Sequence, residues 1–128
     1  MADTPSLFRL NIEVADVSQA AHFYGVLFDM PARPQAGARV YVTAGPVTLQ
    51  IVESPQPHLA AKALYFTVSD LDAVQARAAS LACLSKMMVH GLVGGDINVR
   101  PWGERSFYAD DPWGNPLCFV EAGTVYRG

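Results

Sequence analysis

Residues 10–14, Leu10-Asn11-Ile12-Glu13-Val14, alternate apolar and polar side chains. That is the period of a strand with one face against a core and the other turned away. Asp16 follows, and the period changes. Val17, Ala20, Ala21, Tyr24, Leu27 and Phe28 then fall on one face of a helix. Asp16 offers an N-cap acceptor, with Gln19 three residues on in the place of a capping box. The pattern then returns. Leu64-Tyr65-Phe66-Thr67-Val68-Ser69-Asp70-Leu71 matches residues 10–17 position by position, and Leu71, Val74, Ala78 and Leu81 form a second helical stripe. A further pair of echoes closes each half: Leu49-Gln50-Ile51-Val52-Glu53-Ser54 and Leu117-Cys118-Phe119-Val120-Glu121-Ala122, both rich in strand formers.

The pattern predicts two modules, each a strand, a helix and a few antiparallel strands. The first covers about 7–54 and the second about 61–122, with a proline-broken linker at about 54–60. The second is longer, and its surplus falls at 87–101. A module of ~60 residues buries too little surface to be stable alone. Two modules, or four in a dimer, are therefore expected to share a sheet or core, with the whole chain forming one domain.

Composition narrows the classes. The chain has 128 residues, 51% of them hydrophobic and only 16% charged, which points to extensive burial in a core, an interface or an apolar pocket. A net charge of -3, without a basic stripe, gives no reason to expect nucleic acid. No apolar run reaches the length of a membrane span. The opening Met1-Ala2-Asp3-Thr4-Pro5 lacks the features of a signal peptide. Cys83 and Cys118 make no disulfide framework and no CxxC. A cytoplasmic protein with reduced thiols is expected.

The opening Val14-Ala15-Asp16-Val17 with His22-Phe23-Tyr24, and the closing Asp111-Pro112-Trp113-Gly114-Asn115, resemble the glyoxalase/bleomycin-resistance/extradiol-dioxygenase group, the vicinal oxygen chelate superfamily. The likeness runs from about Leu7 to Glu121. Val47-Thr48-Leu49 and the stretch from Pro101-Trp102-Gly103-Glu104-Arg105 to Phe119-Val120-Glu121 look most like its bleomycin-resistance branch. The resemblance implies an α+β fold of two βαβββ modules, forming a curved mixed sheet around a cavity, in a dimer with shared clefts.

It also implies where a divalent metal would be held. The internal repeat puts those four positions at Arg9, Gln50, Ala63 and Cys118. Arginine has no lone pair to offer and alanine no donor atom. Gln50 and a Cys118 thiolate alone make no stable catalytic site. No metal and no other cofactor is therefore expected. No nucleophile motif, phosphate-binding loop or catalytic residue stands out in its place. His22 suits an exposed or capping role and His58 follows the linker. His90 is the best candidate for a general base.

Strand alternation puts Arg9, Asn11 and Glu13 on one face, with Tyr65 and Thr67 matching them in the second module. Gln50, Val52, Cys118 and Val120 join that face from the closing strands. It is either a solvated sheet surface or the wall of a site for an organic ligand of modest polarity. Tyr41, Trp102 and Tyr108 offer stacking surfaces, or else core or interface packing; Arg105 and His90 complete the candidate ligand-binding set. Cys118 reads as a small buried hydrophobe. The surplus residues Met87 to Asp96 suit a flap, an edge strand or an interface. Asp111-Pro112-Trp113-Gly114-Asn115 reads as a hairpin joint, and Pro101-Trp102-Gly103 as a cavity rim.

The expected function is metal-free binding of a small organic ligand, of the kind that sequesters an antibiotic or related natural product in the clefts of a homodimer. The mild acidity argues against a cationic drug and for a planar aromatic one. The alternatives are a lyase or isomerase acting on a small carbonyl compound, and a regulatory or structural dimer.

Overall fold

A computed structural model describes residues 7–59 and 63–128. The segment read for a signal peptide, the last linker residue (60) and the start of the second module (61–62) lie outside the described residues. The chain divides into two compact units, the boundary falling between His58 and Leu59, just after the prolines of the linker.

The first unit contains β1 (Arg9–Val14), α1 (Val17–Phe28), β2 (Arg33–Gln35), β3 (Arg39–Ala44) and β4 (Val47–Glu53). Its sheet has the order β1-β4-β3-β2, with β1 parallel to β4 and the other pairs antiparallel. Asp16 caps α1 as its position predicts, its Oδ1 accepting the Gln19 N–H at 2.9 Å. The helix ends at Asp29, which adopts the left-handed conformation (φ 53°) while its N–H bonds the Val26 carbonyl.

The second unit contains β5 (Leu64–Val68), α2 (Leu71–Ser80), β6 (Met88–Val89), β7 (Leu92–Val93), β8 (Asn98–Val99), β9 (Arg105–Asp110) and β10 (Pro116–Glu121). Its main sheet has the order β5-β10-β9-β8, again with one parallel pair, β5 with β10, and the others antiparallel. Asp70 caps α2 as Asp16 caps α1, accepting the Ala73 N–H at 3.1 Å. The repeat is thus one topology used twice, an α+β arrangement in each unit.

The two units fill the space between sheet and helix from opposite sides. In the first, Ile12, Val40 and Ile51 line the sheet and the bulk comes from the helix, where Phe23, Tyr24 and Leu27 are buried. Phe23 lies outside the stripe read from the sequence, whereas Val17, Ala21 and Phe28 are only half-buried. In the second, the sheet carries the bulk. Phe66, Phe119 and Phe107 stand in register across three strands, their rings stacked with centroids 5.3 Å apart in both pairs. The helix answers with Leu71, Val74 and Ala78; Leu81, placed in that stripe by its spacing, caps the helix end and is half-buried. Either allocation fills a layer to close packing.

The surplus segment forms a hairpin, β6 and β7 joined by His90-Gly91 with both residues at positive φ (49° and 79°), the geometry of a two-residue type I′ turn. Its base is anchored where Gly95 lies so close to Leu84 and Ser85 that a Cβ would sit 2.8 Å from backbone and side-chain atoms. No helix among the described residues is long and apolar enough to cross a membrane.

Candidate functional site

Each unit presents one sheet face away from its helix, and the expected residues sort onto those two faces. In the first unit, Ile12 and Val14 point into the core, which turns Arg9, Asn11 and Glu13 the other way. Gln50 is in register with Asn11 on one side and Tyr41 on the other. Its Nε2 donates to Asn11 Oδ1 at 2.8 Å, and its Oε1 accepts from Arg39 Nη1 at 3.3 Å. The Arg9 guanidinium lies 5.7 Å from the Tyr41 ring centroid. Glu13 Oε1 accepts the backbone N–H of His58 at 3.3 Å.

In the second unit Cys118 holds the place of Gln50, in register with Tyr65 and Tyr108. Thr67, Val120 and Ser106 form the next row on the same face. Burial pushes the Cys118 thiol up to about 11, against hydrogen bonding with Tyr108 and Ser106 and the positive charge of Arg100. Burial likewise raises the Tyr108 phenol, with Cys118 and Tyr65 adding to the shift. Arg100 is 3% exposed, and its guanidinium lies 5.2 Å from the Tyr108 ring centroid. Its Nε donates to Ser106 Oγ at 2.8 Å and its Nη2 to the Ser106 carbonyl at 3.2 Å.

Beside this cluster lies a cleft of about 460 Å³. Tyr65, Thr67 and Val120 line it from the sheet, and Trp102 and Glu104 from the turn before β9. The segment Val125, Tyr126 and Arg127 forms a further wall. Glu104 ties these parts together: Oε1 accepts the Trp102 indole N–H at 2.7 Å and Oε2 the Tyr126 N–H at 2.9 Å. His90, at the tip of the β6–β7 hairpin, meets Trp102 edge-on with centroids 5.0 Å apart.

The structure therefore groups Arg9, Asn11, Glu13, Tyr41 and Gln50 in the first unit, and Tyr65, Thr67, His90, Trp102, Tyr108 and Cys118 in the second. Arg105 stands apart from both. Alternation along β9 sends it to the opposite face from Ser106 and Tyr108, where Nη1 bonds Glu121 at 3.0 Å and Nη2 reaches Asp72 at 3.3 Å.

Arg100, Ser106, Glu104 and residues 125–127 escaped the sequence reading. A signal for Arg100 was present in the two Pro-Trp-Gly triplets, which prove to be one backbone device. In each, the residue before proline donates its N–H to the carbonyl four residues on (Arg100 to Glu104 at 2.7 Å, Asp111 to Asn115 at 3.0 Å). The glycine N–H bonds back to that first residue's carbonyl, and Gly103 and Gly114 both have positive φ, 93° and 89°. The first residue of each turn is a buried charge. Asp111 uses its carboxylate on Trp113 and Asn115 within the turn; Arg100 uses its guanidinium on the sheet face.

The four positions that the sequence resemblance assigns to a divalent metal carry side chains that do not fit one. Arg9 is a fixed cation. Gln50 spends its amide on Asn11 and Arg39, and Ala63 has no donor atom. Cys118 keeps its proton at neutral pH and has a buried guanidinium nearby. Among the described residues no three His, Cys, Asp or Glu side chains gather in a cluster that could hold a metal ion.

No family model matches the chain, and no curated protein does so by sequence. Solved structures do. A protein named oxidase ChaP-H1 superposes with a TM-score of 0.76 at 20% identity, over 92% of this chain and 96% of that one. The bleomycin resistance determinant of transposon Tn5 gives 0.69 at 17% identity, over 91% and 98%. Lactoylglutathione lyase from Agrobacterium tumefaciens gives 0.65 at 18%, over 94% and 96%. Full-length likeness to a resistance determinant, an oxidase and a lyase, together with the duplicated strand–helix–strand topology, shows that this chain has the fold of the vicinal oxygen chelate superfamily.

Proposed function

We propose that the protein is a metal-independent binder of a small organic ligand, of the kind that sequesters an antibiotic or related natural product. What supports this reading is that the positions the resemblance assigns to a metal hold Arg9, Gln50, Ala63 and Cys118, with Gln50 and Cys118 engaged in hydrogen bonds of their own, in a chain that has a cleft walled by Tyr65, Trp102 and Tyr126. A cleft of about 460 Å³ falls within the roughly 300–1,000 Å³ of small-molecule sites. A protein of this fold has been solved as a bleomycin-binding protein complexed with bleomycin. Sequestration needs affinity and enough protein, without chemistry at the ligand. A homodimer is part of this reading, with the exposed Met87, Met88 and Leu92 of the hairpin segment available for contact.

The test has two arms. Protein prepared without chelators is assayed for bound metal and then challenged with nickel, zinc, iron and manganese. It is also screened by thermal shift against polycyclic aromatic antibiotics. The reading expects substoichiometric metal, no stabilisation by any cation, and stabilisation by at least one aromatic compound. Stoichiometric metal that raises the melting temperature would instead support a lyase or isomerase.

A further inference from the structure

Arg100 is the most unusual charge in the second unit. Its Nη1 is fully buried and has no hydrogen-bond partner among the described residues. Its two bonds go to Ser106, a hydroxyl and a carbonyl, both neutral. Of the two carboxylates four residues away, Glu104 has its oxygens on Trp102 and Tyr126, and Asp96 is exposed. Guanidinium cannot escape the cost of burial by losing its proton, as a lysine can. A buried cation without a counter-charge is strongly unfavourable, and one partly satisfied by neutral acceptors stays so. The fold nevertheless holds it in place, with Nε and Nη2 fixed on Ser106 and the ring of Tyr108 against the guanidinium.

Its position relates it to the cleft. Ser106, which anchors it, is in register with Val120, and Val120 with Thr67; both of those line the cleft. Trp102 and Glu104, also lining it, belong to the turn that Arg100 begins. We infer that Arg100 is the anion-recognition element of this cleft: the ligand carries a carboxylate, or an ionised enol or phenol, whose oxygen completes the guanidinium through Nη1, while its rings lie against Tyr65 and Trp102. This rests on the binding function proposed above and sets the ligand class, a planar aromatic anion. Nη1 is buried, so reaching it requires the cleft wall to shift.

Matched pairs test it: the carboxylic acids of naphthalene, anthracene and pyrene against their methyl esters, titrated calorimetrically into the intact chain at pH 7.5, with inorganic phosphate as a separate arm. A charge-assisted hydrogen bond in a desolvated site is worth more than tenfold in affinity. At least one acid is expected to bind tenfold or more tightly than its ester, and phosphate alone not to bind. In Arg100→Gln the acid is expected to fall to the affinity of the ester, with the ester unchanged. Equal binding of acid and ester by the native chain overturns the anion assignment and leaves the binder reading intact. Binding of neither in any pair overturns both. Arg100→Met supplies a check on the free protein. A residue kept for a ligand leaves the melting temperature unchanged or raised when replaced, whereas a marked drop assigns Arg100 to holding the turn and overturns the inference.

Discussion

Trp102 donates its indole N–H to Oε1 of Glu104, 2.7 Å away and two residues further along the same turn. Because the other oxygen of that carboxylate holds the Tyr126 N–H, one side chain fixes two walls of the cleft. Glu104→Ala is expected to release the 125–127 segment, with amide exchange at Tyr126 faster by about tenfold or more and global stability little changed. Unchanged exchange at Tyr126 would show that the segment is held by other means.

Trp102→Phe keeps an aromatic edge for His90 and removes the indole donor. Since the residue is partly exposed, stability should change by less than about 1 kcal/mol. Affinity for an aromatic ligand should fall several-fold, measured by the same calorimetry. A variant that binds as tightly as the native chain would remove Trp102 from the site.

The thiols of Cys83 and Cys118 are both pushed from 9.0 to about 11, in each case chiefly by burial. A thiol in the unfolded chain ionises near its ordinary value, while the folded chain keeps it protonated. Between about pH 9 and 11 the unfolded state therefore holds fewer protons, and stability falls as pH rises. The contribution is fully present below pH 9. Urea denaturation at pH 8, 9, 10 and 11 should show this decline; Cys83→Ala with Cys118→Ala should flatten it up to about pH 10, above which the raised Tyr108 phenol continues it. At pH 8 a thiol reagent should label neither cysteine until the protein unfolds.

The stacked phenylalanines of the second unit predict a graded series. Phe119 stands between Phe66 and Phe107, so Phe119→Ala removes both ring contacts and opens a cavity, at about 3–5 kcal/mol. Phe66, at the end of the row and half-buried, should cost less. Equal losses at the two positions would mean that the stack is not the unit of packing.

Gly103 and Gly114 have equivalent positive φ values, and neither would bring a Cβ closer than ordinary contact. Gly103→Ala and Gly114→Ala should each cost about 1–2 kcal/mol, from backbone conformation alone. Gly95→Ala should cost more, since its Cβ would meet Leu84 and Ser85 at 2.8 Å and the base of the hairpin would have to shift.

What was legible beforehand follows from periodicity. A period of two switching to a helical one after Asp16 and again after Asp70 marked both strand–helix starts, and the matching closing segments located β4 and β10. Phe23 was missed because the helical stripe was drawn too narrowly. With Ile12, Val40 and Ile51 opposite, the helix has to supply a wider wedge of bulk. Arg105 entered the candidate set without a facing, and alternation along β9 puts it on the face opposite Tyr108, with Glu121 and Asp72 as its partners. Arg100 left its one trace in the repeated Pro-Trp-Gly triplet, because it belongs to the turn before β9, outside any strand period. Its burial depends on Ser106 and Tyr108, which follow it by six and eight positions and fold back over it. The pairing of Glu104 with Tyr126 is likewise a tertiary contact without a local pattern.

The twin turns have one practical consequence. Each contains one of the chain's two tryptophans, and both fall in the second unit. Tryptophan emission is thus a reporter for one half of a duplicated architecture, while the first half, with Tyr24 and Tyr41 only, is dark at that wavelength. Melting followed at tryptophan emission and by far-ultraviolet circular dichroism gives two views of the same transition. If the curves coincide, the two units unfold as one cooperative transition; if they part, each unit carries a stability of its own.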